Sequence, residues 1–150
     1  MGDLSDYTDK KYIIKIKSED KLKAIEEVAG VFKDTDVCND IESLTAALIE
    51  REEIMTTGIG LGIAIPHAKI TTVKKISFAI GISENGIDFN AIDGEPVYMI
   101  VLVAAGEDQH KEYLKLLSKI MTVLKNEDIR KKIIVSNSPS EILNILNISA

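Results

Sequence analysis

The chain has 150 residues, 45% hydrophobic and 28% charged, a length and balance that fit one globular domain with a substantial core. A net charge of −6 argues against holding a polyanion through bulk electrostatics, and the short basic run 130–132 follows closely on Glu127 and Asp128. A single cysteine, Cys38, leaves no disulfide framework and no thiolate-rich metal site, and no apolar run is long enough to span a bilayer.

Residues 1–10 read as a polar tail without the apolar segment of a secretory signal, and 11–150 as the domain, so the expectation is a cytoplasmic protein. A short strand is expected over 12–16. Ser18 is positioned to cap a helix with Leu22, Ile25, Ala29 and Phe32 inward. A second helix is expected from Asn39, with Glu42 closing a capping box, Leu44, Ala47 and Leu48 inward, and Arg51 near its end. Two strands follow, over 76–82 and 97–104, separated by the turn signals Asn85-Gly86 and Asp93-Gly94. The second is apolar on both faces, as a central strand covered by helices on either side should be. After Gly106, a helix is expected with Tyr113, Leu114, Leu117, Ile120, Met121 and Leu124 at helical spacing. Asn126 caps a shorter helix through Ile133, and Ser138-Pro139-Ser140-Glu141 starts a last one with Ile142, Ile145 and Leu146 inward. The fold class expected is α/β, a single domain with a small mixed β-sheet flanked by helices on both faces.

The stretch 58–68, GIGLGIAIPHA, holds three glycines, a proline and one of only two histidines. Its spacing fits neither G-x-G-x-x-G nor a P-loop. Residues 63–65 read as a short strand ending at Pro66, which restrains the backbone at His67. An imidazole is a good nucleophile at neutral pH, and glycine N–H groups can approach an anion, so His67 is read as a phosphoryl carrier. Gly58, Gly60 and Gly62, with the Thr57 hydroxyl, either complete a phosphate cradle or serve close strand packing. The other histidine, His110, is expected at the start of a helix just beyond the buried strand, where ligand sites of α/β sheets gather. By itself that position equally suits an exposed first-turn residue, and in a site it would orient His67 or donate to the phosphate. Arg51 offers a permanent charge and planar donors to phosphate oxygens, and it also suits a helix C-terminus. No metal and no cofactor are called for.

These residues resemble the signature of the IIA component of the bacterial sugar phosphotransferase system, fructose/mannitol type, a branch that includes nitrogen-related regulatory IIA proteins. The resemblance rests on Glu52, Ile59-Gly60 and residues 63–68. It is supported by Ile87-Asp88-Phe89, by residues 91–97, and by the helix opening at His110 with Leu114 and Leu117. It implies that His67 takes a phosphoryl group from the histidine phosphocarrier protein, with His110 as second active-site histidine and Arg51 as the arginine ahead of the glycines. The acceptor implied is a cysteine of a IIB component in sugar uptake, or else the phosphorylation state controls binding to regulatory targets. No IIB or IIC segment is visible in the sequence, which leans toward regulation. Neither nucleic acid nor membrane insertion is implied, and an apolar rim is expected from those of Ile59, Leu61, Ile63 and Ile65 that point outward.

Overall fold

In the computed structural model, which describes residues 3–149, the most apolar stretch of the chain becomes the centre of a sheet. The elements in order are β1 (Ile13–Lys15), α1 (Lys21–Ala29), α2 (Ile41–Ile54), β2 (Gly58–Gly60), β3 (Ile63–Ala64) and β4 (His67–Lys69). β5 (Ser77–Ile87), β6 (Val97–Ala105), α3 (His110–Leu124), α4 (Glu127–Val135) and α5 (Pro139–Ser149) follow. Six strands form one mixed sheet in the order β1-β5-β6-β3-β2, with β4 also paired to β6. β5 and β6 are antiparallel, whereas β3 and β4 run parallel to β6.

The two faces of the sheet are unequal. Ala64, Ala68, Ala79 and Ala104 meet α1 and α2, so small side chains let those helices approach closely. Phe78, Ile80, Met99, Val101 and Val103 point the other way, into α3, α4 and α5. The expected architecture, a mixed sheet with helices on both faces, is the one observed.

Local chemistry explains where the helices begin. Asn126 accepts from the Ile129 N–H and Ser138 from that of Glu141, as expected. The first two helices start later than expected because aspartates cap them: Asp20 Oδ2 accepts from Lys23 N–H, and Asp40 Oδ1 from Ser43 N–H. Ser18 instead gives its N–H and hydroxyl to Glu27, and Leu22 and Leu114 are exposed. On α3 the inward stripe is Tyr113, Leu116 and Ile120. Asn85-Gly86 sits inside β5, where the register to β6 shifts, rather than ending the strand. Within the expected N-terminal tail, Leu4 is buried and the Thr8 hydroxyl donates to the Phe78 carbonyl; Met1 and Gly2 lie outside the described residues. Cys38 is buried and gives its thiol proton to the Asp40 carbonyl.

Two stability predictions follow from this packing. A Cβ at Gly81 would lie 2.6 Å from Val28 Cγ2 and 2.7 Å from Ile16 Cδ1, both in the core. Gly81→Ala should therefore lower unfolding free energy by about 1–3 kcal/mol through overpacking, read by urea denaturation. Burial pushes the Glu27 carboxyl up, but the Lys17 and Ser18 N–H groups, the Ser18 hydroxyl and the Lys17 charge together hold it below its ordinary 4.5. A lowered carboxyl stabilises the fold above that value and ceases to as pH falls through the folded one. Glu27→Gln should unfold at lower urea than the wild type at neutral pH, and the gap should close on acidification below 4.5.

Candidate active site

β3 and β4 lie end to end along one side of β6 in unbroken register: Ile63 faces Met99, Ala64 faces Ile100, His67 faces Val103 and Lys69 faces Ala105. Ile65 and Pro66 form the break between them. Proline has no N–H to give the ladder, although its carbonyl still accepts from Val103. Ile65 gives its own N–H to the Thr57 carbonyl, and its carbonyl accepts the Nδ1–H of His67 at 2.8 Å. A carbonyl can only accept, so His67 carries a proton on Nδ1, and the neutral ring then has its lone pair on Nε2.

His67 is half-buried at the wall of an open cleft of about 430 Å³. The cleft is lined by Glu50, Arg51 and Ile54 of α2, His67 and Lys69 of β4, and Tyr113 of α3. Arg51 stands in the last turn of α2, and its Nη1 donates to the Met55 carbonyl at 2.9 Å. That bond uses one of five guanidinium N–H donors, so helix capping and anion binding are compatible. The Tyr113 ring lies 6.1 Å from that of His67, centroid to centroid. Burial pushes the Tyr113 phenol up to about 12 against the opposing influence of Arg51, so it remains a hydroxyl donor at neutral pH.

His110 opens α3, as expected, and is exposed. Its Nδ1 is 2.9 Å from Lys69 Nζ, which ties it to the strand that carries His67. Arg51, His67 and, through Lys69, His110 are thus brought to one end of the sheet.

The cradle expected from Thr57, Gly58, Gly60 and Gly62 is not part of this cleft. Thr57 is buried, and its N–H and hydroxyl both go to the Glu52 carboxylate, at 2.7 and 2.5 Å. The Gly58 N–H goes to the Thr56 hydroxyl. Gly60 and Gly62, with φ of +93° and +77°, make the β2–β3 turn, whose Leu61 N–H is held by Asp93. Closeness in sequence to His67 does not become closeness in space, because β3 carries the chain away from this turn before His67 is reached. Of the apolar rim expected, Leu61 is exposed and Ile59 half-buried, while Ile63 and Ile65 are core. Ile54 and Tyr113 supply the apolar lining of the cleft instead.

Tyr113 and Lys69 were not singled out from the sequence. Tyr113 reads as one more apolar position of α3. For Lys69, strand alternation offers a signal, since residues two apart share a face and His67 is two before it. Among the described residues no group of three or more His, Cys, Asp or Glu is placed to hold a metal ion, and no helix is long and apolar enough to cross a membrane.

Residues 7–148 match the family described as phosphoenolpyruvate-dependent sugar phosphotransferase system, EIIA 2. The chain is 37% identical over 134 residues to the fructose-specific EIIABC component of Bacillus subtilis, covering 89% of itself but only 21% of that relative's length. It is 32% identical over 131 residues to a nitrogen regulatory protein of Bradyrhizobium diazoefficiens, covering 87% of the chain and 85% of the relative. The crystal structure of the nitrogen regulatory protein IIA-Ntr from Neisseria meningitidis superposes with a TM-score of 0.87 at 26% identity, covering 94% of this chain and 97% of that one. With the family match running almost end to end over the same sheet and helices, the chain belongs to the EIIA 2 family of the phosphoenolpyruvate-dependent sugar phosphotransferase system, a family of phosphotransferase components.

Proposed function

We propose that this protein is a phosphocarrier whose His67 accepts a phosphoryl group from the histidine phosphocarrier protein and passes it to the cysteine of a IIB component in sugar uptake. The observation that carries this reading is the bond from His67 Nδ1 to the Ile65 carbonyl, which leaves the Nε2 lone pair for the cleft. In the transfer, that pair forms the new N–P bond as the donor's N–P bond breaks and returns its pair to the donor nitrogen. The phosphorylated ring keeps its Nδ1 proton and becomes cationic, which the carbonyl of Ile65 stabilises. Charge in the loose transition state spreads over the three equatorial oxygens, so positioning and neutralisation are the main tasks. Arg51, a planar multiple donor, suits those oxygens, and so does the Tyr113 hydroxyl. Outward transfer to a thiolate repeats the step with sulfur as the attacking atom.

The similarity to nitrogen regulatory proteins supports a second reading, in which the phosphorylation state of His67 governs binding to target proteins. Discharge of the phosphoryl group on adding a purified fructose-type IIB supports transport, and a phospho form that persists there supports regulation.

Incubation with phosphoenolpyruvate and the two general phosphotransferase proteins should add one acid-labile phosphoryl group by intact mass. His67→Ala should add none. An unmodified wild type, with the cognate phosphocarrier protein present, or a labelled His67→Ala would overturn the reading. Tyr113→Phe should still be phosphorylated. Because the folded pKa of Tyr113 is raised from 10.0 to about 12, the folded state holds a proton that the unfolded chain releases, and stability falls as pH rises through that window. In Tyr113→Phe this alkaline loss should be shallower, measured by urea unfolding across the same range.

A further inference from the structure

Lys69 ends β4 and shares a face with His67, since alternate residues of a strand point the same way and Ala68 between them turns into the α1–α2 core. That face looks toward the start of α3, where the Lys69 ammonium meets Nδ1 of His110 at 2.9 Å. An ammonium has three protons and no lone pair, so it can only donate. The opposite arrangement requires an uncharged lysine on a half-exposed side chain, where water favours the ammonium. An imidazolium has no pair to accept with and would set two donors against each other. His110 Nδ1 is therefore the acceptor, and the ring's single proton sits on Nε2.

We infer that Lys69 is a positioning residue that fixes His110 as its Nε2–H tautomer, opposite to the Nδ1–H tautomer that the Ile65 carbonyl fixes in His67. The two rings then differ at Nε2: neutral His67 presents a lone pair there, and His110 presents a proton. The consequence for transfer rests on the phosphocarrier reading above. His110 then donates its Nε2–H to a phosphoryl oxygen and keeps that proton throughout, because moving phosphorus between nucleophiles requires no proton from it. Lys69 raises the donor strength of that N–H by polarising the ring from its other nitrogen.

The test uses long-range ¹H–¹⁵N correlation spectra of the histidine rings in the unphosphorylated protein at neutral pH, with single-histidine variants for assignment. The wild type should show His110 with its proton on Nε2. Lys69→Met should turn that signature into a mixture of tautomers while leaving that of His67 unchanged, and Lys69→Arg, which keeps a cationic donor, should restore it. In the phosphoryl-transfer assay Lys69→Met should slow labelling of His67 about tenfold, the lower end of what one hydrogen bond to a charged group provides. A wild-type His110 protonated at Nδ1 or on both nitrogens, or an unaltered His110 signature in Lys69→Met, would overturn the inference. The spectra need no phosphate donor, so they decide the role of Lys69 even if His67 takes no phosphoryl group.

Discussion

The site depends on a break in one strand. β3 and β4 are a single line along β6, in one register, interrupted for two residues where Pro66 cannot donate to the ladder. The break sets the Ile65 carbonyl against the side chain of the residue just past the proline. A uniform strand would give neither that partner nor a ring held at the edge of the sheet. Because the register is kept across the gap, His67 lies opposite Val103, near the carboxyl end of β6, where the chain leaves the sheet for His110. Crevices at such strand ends are where α/β sheets collect ligands. The same few residues thus fix the tautomer of the ring, its place and its neighbour.

The opposite wall depends on a buried charge. Glu52 is enclosed and accepts from the Thr57 N–H and hydroxyl, while Lys21 pairs with it at 3.0 Å and lies over the Phe89 ring. A buried carboxylate is costly unless it is fully paired, and here it joins the start of α1, the end of α2 and the entry to β2. Adjacent helical residues point about 100° apart. With Glu52 locked inward, Arg51 is turned toward the cleft. Thr57, just ahead of the glycines, serves this anchoring, so neither its N–H nor its hydroxyl hydrogen is free for an anion.

What could be read from the sequence was whatever is decided locally. The apolar run that became β6, the Asn126 and Ser138 caps, and the placing of both histidines next to strand ends all rest on residues within a few positions of each other. The misplaced features depend on a competing partner outside the local motif, a turn or two away or across the sheet. Ser18 looks like a cap until Glu27 takes its hydrogen bonds, and Thr57 looks like a phosphate ligand until Glu52 folds back onto it. Asn85-Gly86 carries real turn chemistry that a bulge in β5 satisfies as well as a hairpin would. Tyr113 was hidden because its ring obeys the helical stripe perfectly well while also facing His67. Lys69 was hidden among 18 basic residues, since beyond strand alternation with His67 what sets it apart is its contact with a helix that begins 41 positions later.

On the phosphocarrier reading, the two histidines give one side chain type two roles without a change in its own chemistry. Imidazole has two nitrogens and, when neutral, one proton to divide between them. Whatever holds Nδ1 decides what Nε2 can do. A carbonyl at Nδ1 leaves Nε2 of His67 basic and nucleophilic, whereas an ammonium at Nδ1 leaves Nε2 of His110 a donor. Both partners come from β4 or the residue pair just ahead of it, so the contrast is built into five consecutive residues of backbone. For a reaction whose transition state needs a nucleophile on one side of phosphorus and donors around its oxygens, that division supplies both from the same residue type. On the phosphocarrier reading it also requires no proton to move during transfer.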